Sequence, residues 1–124
     1  MTSADSTRVE DVMSTPLRTI SPDATVREAA AMMRDHDIGA LLVTTVPPSI
    51  VTSTDVLDAI VAGHDPDELA VTEVMTESVE TVPPDLLVEE VAAMMTNFEV
   101  NHLPVAADDY IGMISSTDVT AHLA

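Results

Sequence analysis

Apolar positions recur along this chain in two rhythms, one helical and one extended. Val26, Ala29, Ala30 and Met33 stand at i, i+3, i+4 and i+7, one stripe that predicts a helix from about Val26 to His36. Thr25-Val26-Arg27-Glu28 ahead of it is a capping box, in which hydroxyl and carboxylate satisfy orphan amides reciprocally. Short apolar runs at Ala40–Val43 and Ile50–Thr52 read as β-strands. A helix from about Thr54 to Ala62 then ends at Gly63, a C-cap residue. Upstream, a short helix near Val9–Met13 leads into an extended segment, Leu17-Arg18-Thr19-Ile20. That segment stops at Ser21-Pro22-Asp23, because proline disfavours helix at the residue before it.

The same order then returns. An offset of 62 places Val9-Glu10-Asp11-Val12-Met13 over Val71-Thr72-Glu73-Val74-Met75, and Ala30-Ala31-Met32-Met33 over Ala92-Ala93-Met94-Met95. Over residues 9–43 against 71–105, 14 of 35 positions are identical; ordinary residue usage gives about two by chance. After one inserted residue, Ser53-Thr54-Asp55-Val56 falls on Ser116-Thr117-Asp118-Val119. The second copy keeps the stripe (Val88, Val91, Ala92, Met95) but puts Leu87 at the cap, which predicts loss of the box. Its strands are Leu103–Val105 and Ile111–Ser115, and its last helix is Thr117–Leu123. Residues 1–8 read as a tail, 9–63 as repeat one, 64–70 as a polar linker carrying Pro66, and 71–124 as repeat two. The fold expected is α/β: two β-α-β-β-α units packed sheet to sheet with pseudo-twofold symmetry. Units of about 60 residues are marginal alone, which is the reason to expect the packing.

Charge narrows the function. The chain has 124 residues, 22 Asp and Glu against 4 arginines, no lysine and a formal net charge of −18. Residues 1–34 hold all four arginines, and residues 35–124 hold 17 acids and no fixed cation. A surface this negative argues against nucleic acid, whose phosphates need arginine and lysine. With 46% apolar residues the chain can nonetheless bury a core. No apolar run approaches the ~18–20 residues needed to span a bilayer. The start MTSADSTRVED lacks an apolar signal segment, so no membrane partner and a cytoplasmic location are expected. Cysteine is absent, which excludes disulfides and thiolate chemistry.

Candidate chemistry is sparse. His36, His64, His102 and His122 are scattered with no ligand spacing, so no metal site is expected. Carboxylate pairs such as Glu89-Glu90 and Asp108-Asp109 are sequence neighbours that point apart, not an acid–base couple. The methionine pairs belong to core packing, one member of each lying on the stripe. With no nucleophile–base constellation, no enzyme is expected. Thr52-x-x-Asp55 and Ser115-x-x-Asp118 are the recurring polar signature. Each is a capping box on its own terms, and a ligand role stays open beside that.

The repeat resembles the cystathionine-β-synthase (CBS) domain, found as tandem pairs. The residues that carry the likeness are Val12-Met13, Ser21-Pro22-Asp23-Ala24-Thr25-Val26 and Ile50-Val51-Thr52-Ser53-Thr54-Asp55. In repeat two they are Val74-Met75-Thr76, Pro83-Pro84-Asp85, Asn101-His102-Leu103-Pro104-Val105 and Gly112-Met113-Ile114-Ser115-Ser116-Thr117-Asp118. The resemblance implies a stand-alone regulatory pair that needs no cofactor and binds adenosyl ligands in clefts between paired units. Asp55 and Asp118 would bond ribose hydroxyls, with Thr52 and Ser115 three residues earlier. Thr19-Ile20 and Thr81-Val82 would offer backbone groups to adenine, and Asn101 and His102 would meet phosphate. It further implies a homodimer through exposed helices and a separate effector protein that reads the ligand state. A lysine-free surface this acidic is also similar to those of salt-loving organisms, of halophilic archaeal type.

Repeat one departs from the family pattern. It has Gly39-Ala40 and no proline where repeat two has Asn101-His102-Leu103-Pro104, and Ser49 where repeat two has Gly112. Repeat two has no arginine or lysine of its own. That ranks AMP or S-adenosylmethionine ahead of ATP there. The rival expectation is a ligand-independent dimerisation or interaction scaffold.

Overall fold

The computed structural model describes residues 7–77 and 79–123. In chain order its elements begin with α1 (Val9–Val12), β1 (Thr19–Ile20), α2 (Val26–His36), β2 (Ala40–Val43), β3 (Ser49–Thr52) and α3 (Ser53–Val61). After a 3-10 turn at Val71–Glu73 come α4 (Val88–Phe98), β4 (His102–Ala106), β5 (Tyr110–Ser115) and α5 (Ser116–Leu123). The chain forms two compact units. One is Arg18–Val79; the other joins the residues up to Leu17 with those from Glu80 onward. Among the described residues no helix is long and apolar enough to cross a membrane.

In the Arg18–Val79 unit, β1 pairs in parallel with β2, and β2 pairs antiparallel with β3. Its core is Ile20, Val26, Ala29, Met33, Leu41, Val43, Val51, Val56 and Val71. The other unit repeats the plan with fewer regular pairs. β4 and β5 are antiparallel, and Val82 bridges Val105 in parallel, standing where β1 stands in the first unit. Its core is Val9, Val82, Val88, Val91, Met95, Leu103, Val105, Ile114 and Val119.

Val9 and Val71 head the two sequence repeats, yet each lies in the core of the unit built mainly from the other repeat. Both are fully buried, and burying a valine is worth about 1.5–3 kcal/mol relative to exposure. Hydrogen bonds add direction. Val9 N–H donates to the Leu86 carbonyl at 2.8 Å, and Ser14 and Met113 exchange backbone bonds of 2.8 and 3.1 Å. In the first unit Val71 N–H donates to the Ala24 carbonyl at 2.9 Å, while Ile50 and Thr76 exchange bonds of 3.0 and 2.8 Å. The stretch His64–Ala70, read from sequence as linker, also docks. Its Pro66 and Leu69 carbonyls accept from the Arg27 and Val26 amides, and Asp67 pairs with the Arg27 guanidinium.

Helix starts follow the sequence closely. Thr25 N–H donates to Glu28 Oε1 at 2.9 Å and Glu28 N–H to Thr25 Oγ1 at 3.1 Å, the expected box. The box was expected to vanish at Leu87, but half of it survives: Leu87 N–H donates to Glu90 Oε1 at 3.0 Å. That half needs only a carboxylate at the third helical position, whatever the cap side chain. Both α2 and α4 end on a left-handed residue, Asp37 and Glu99.

Candidate functional site

Each unit closes its sheet into its last helix through a hydroxyl–carboxylate cap. In the first, Asp55 Oδ2 accepts from Thr52 N–H at 2.8 Å and from Thr52 Oγ1 at 3.0 Å. Thr52 Oγ1 in turn accepts from the Asp55 amide at 3.3 Å. In the second, Asp118 Oδ2 accepts from Ser115 N–H at 2.9 Å, and Ser115 Oγ accepts from the Asp118 amide at 3.0 Å. Both carboxylates are half-buried. In both, the cap engages Oδ2, and Oδ1 takes no hydrogen bond among the described residues. An ionised carboxylate has about four acceptor positions, so capping leaves capacity for a further donor.

The sheets set what lies beside these caps. Ser53 N–H donates to the Gly39 carbonyl at 2.9 Å, and Ser116 N–H to the Asn101 carbonyl at 2.8 Å. The start of each middle strand is thus tied to the start of the last helix. His102 is the cross-strand partner of Ser115, which brings Asn101, His102, Ser115 and Asp118 together. Burial pushes the His102 imidazole below its ordinary value, against the smaller upward pull of the Asp118 carboxylate. The first unit has Ala40, buried, at the matching place.

The first strand supplies an open edge. Leu42 and Thr44 amides donate to the Arg18 and Ile20 carbonyls, each at 3.1 Å. In a parallel ladder the intervening residue then turns its amide and carbonyl the other way, so those of Thr19 face outward. Val82 likewise donates to Pro104 at 3.0 Å and accepts from Ala106 at 2.9 Å, leaving the Thr81 groups outward. Ile20 and Val82 themselves are core side chains with backbones committed to pairing. Thr19 and Thr81 are the outward groups of each dipeptide. Register places Thr19 opposite Leu42 and Thr52 opposite Ala40, two strands away. Standard strand spacings put the two about 12 Å apart.

Two grooves border the caps. One of about 530 Å³ in the second unit has Met95, Val100, Val119 and Leu123 in its lining, along with Asn101 and Ser116. One of about 350 Å³ in the first unit runs from Asp55 past Asp58 and Ala59 to His64 and Glu73. Sequence reasoning missed Asp58 and Glu73. Neither belongs to the hydroxyl–carboxylate motif, and only the turns of α3 and of the 3-10 segment at Val71–Glu73 bring them round. Among the described residues no three His, Asp or Glu stand together as metal ligands would.

A repeated β-α-β-β-α plan with a cap beside each open edge defines a tandem α/β repeat protein. The chain belongs to the CBS domain family, which residues 9–62 and 71–124 each match. It is 26% identical over 117 residues to the CBS domain-containing protein YhcV of Bacillus subtilis, covering 92% of this chain and 84% of that one. Among solved structures it is similar to a hexameric CBS-CP12 protein from bloom-forming cyanobacteria, with TM-score 0.88, 30% identity and coverage of 93% and 71%. It is also similar to the CBS domain pair of protein MJ0100 in complex with 5′-methylthioadenosine and S-adenosyl-L-methionine. There the TM-score is 0.83, identity 27% and coverage 94% and 95%.

Proposed function

We propose that this chain is a regulatory sensor that binds an adenosyl ligand of the AMP, ATP or S-adenosylmethionine class and signals to a separate effector protein. The observation that carries the reading is the divided carboxylate of each cap. Oδ2 holds the helix start, and Oδ1 of Asp55 or Asp118 stays available for a ribose hydroxyl. Thr19 and Thr81 offer an outward amide and carbonyl to the adenine edge. Thr52 and Ser115 flank the sugar, and Asn101 and His102 meet the 5′ substituent. The adenosyl complex of the MJ0100 pair supports the ligand class. The residues bind and orient, and the output is a shift between two arrangements of the chain, driven by the ligand's differential affinity for them.

Leu57 and Val61 of α3 are 61% and 87% exposed, an apolar face that a homodimer covers. The lysine-free, strongly acidic composition fits a cytoplasm of multimolar salt. That same apolar face, with caps whose hydrogen bonds are made within the chain, favours a second reading: a ligand-independent dimerisation scaffold. A thermal-shift screen in multimolar KCl with AMP, ATP, NAD and S-adenosylmethionine separates the two. A ligand at about 100 times its Kd adds roughly 2.7 kcal/mol, several degrees for a domain of this size. A selective shift supports the sensor; silence across the panel supports the scaffold.

A further inference from the structure

The two candidate sites carry opposite charge at one matching position. Arg18 immediately precedes Thr19, and its counterpart 62 residues on is Glu80, immediately before Thr81. Because β1 runs parallel to β2 with Thr19 opposite Leu42, Arg18 lies level with Leu41. That is one residue nearer the Ala40–Thr52 pair, and so on the side of Thr19 that faces the cap. Glu80 has the same relation to the Ser115–Asp118 cap through the Val82–Val105 bridge.

Arg18 is half-buried on a backbone fixed by its bond from Leu42. Among the described residues its guanidinium makes no ion pair or hydrogen bond, although the chain carries 22 acids. Arg27 is paired with Asp67, and Arg8 donates to the Asp85 carbonyl at 2.9 Å. Arg8 is the single arginine of its unit. With adenine at Thr19, a 5′ phosphate lies toward the cap, the side on which Arg18 stands, and the planar fork of a guanidinium suits phosphate oxygens. With adenine at Thr81, a 5′ phosphate lies toward Glu80 and Asp118, both repulsive.

We propose that the Arg18 unit takes a phosphate-bearing adenosyl ligand, while the Glu80 unit takes one that lacks phosphate or is cationic at sulfur. This rests on the adenosyl reading above and adds a division of labour to it.

Calorimetric titration of the full chain with AMP and with S-adenosylmethionine, at one salt concentration throughout, tests the proposal. Wild type should bind both without mutual displacement. Arg18→Glu should weaken AMP about tenfold or more, the size of one lost charge-assisted bond, and leave S-adenosylmethionine within about twofold. Arg18→Lys should recover most of the AMP affinity, which separates charge from folding. Glu80→Arg should strengthen AMP binding at the second site. Mutual displacement in wild type, or AMP affinity unchanged in Arg18→Glu, overturns the division while leaving adenosyl binding intact. Failure of wild type to bind either ligand overturns both readings.

Discussion

The two units build one topology with different residues at the corner where the other repeat's first turn docks. In the second unit that corner is Gly112. A Cβ there would lie 2.8 Å from Met13 Sδ and 2.9 Å from the Ser14 carbonyl oxygen. In the first unit it is Ser49, fully buried, with its hydroxyl 2.7 Å from Thr45 Oγ1. There the side chain, at the first position of β3, bonds the loop that leads into its own strand. In the second unit the inserted residue falls at a register shift beside Val105 and Ala106, and glycine at 112 is what permits the approach of the docking segment. A duplication can thus conserve hydrogen-bond topology while the residue that enforces it changes.

The strongest way to break the comparison is to exchange the corners. Gly112→Ser should destabilise by about 1–3 kcal/mol, since backbone at Ser14 must move to admit the Cβ. Ser49→Ala should cost only about 1 kcal/mol, the net worth of one hydrogen bond. Denaturant melts of both variants check the order; equal costs would mean that the close approach at Gly112 relaxes freely.

A smaller effect sharpens the comparison at the long helices. Thr25→Ala removes the acceptor for the Glu28 amide and should cost about 1 kcal/mol. Leu87→Thr should complete the half-box at α4 and stabilise by a similar amount. Thermal melts of the two single variants should therefore move in opposite directions.

The smallest effect comes from His102, which has no titratable counterpart in the first unit. Its folded pKa lies below the ordinary 6.5 because burial disfavours the charged ring. The unfolded chain therefore takes up the proton first. The stability this group contributes is complete above about pH 6.5 and is lost as pH falls from there toward the lower folded value. Stability of His102→Asn should lose this dependence, so the two proteins' pH–stability curves should diverge only on the acid side.

Much of this was legible in the chain. The α2 stripe and its box predicted Val26–His36 to the residue, because a capping box and an i, i+3, i+4, i+7 pattern both constrain the backbone locally. The swapped docking of Val9 and Val71 was not legible. Their segments share one pattern, Val-x-x-Val-Met, which buries equally well against either sheet, so chain connectivity rather than composition selects the partner. At Leu87 the missing hydroxyl predicts loss of the whole box, but Glu90 acts through its own carboxylate whatever the cap side chain. At the candidate site the motif identified Asp55 and Asp118. Only the geometry separates outward Thr19 and Thr81 from inward Ile20 and Val82, since alternation across a two-residue strand has no length in which to show.

The central claim is that the cap carboxylates serve two roles at once, and Asp118→Asn with Asp55→Asn tests it most directly. Asparagine keeps one carboxamide oxygen for the Ser115 or Thr52 amide but loses the second acceptor. Titration of both variants with AMP and S-adenosylmethionine, alongside ligand-free melts, should show affinity reduced about tenfold or more with the melting temperature little changed. Unchanged affinity with a lowered melting temperature would contradict the account, and would leave these residues as helix caps alone.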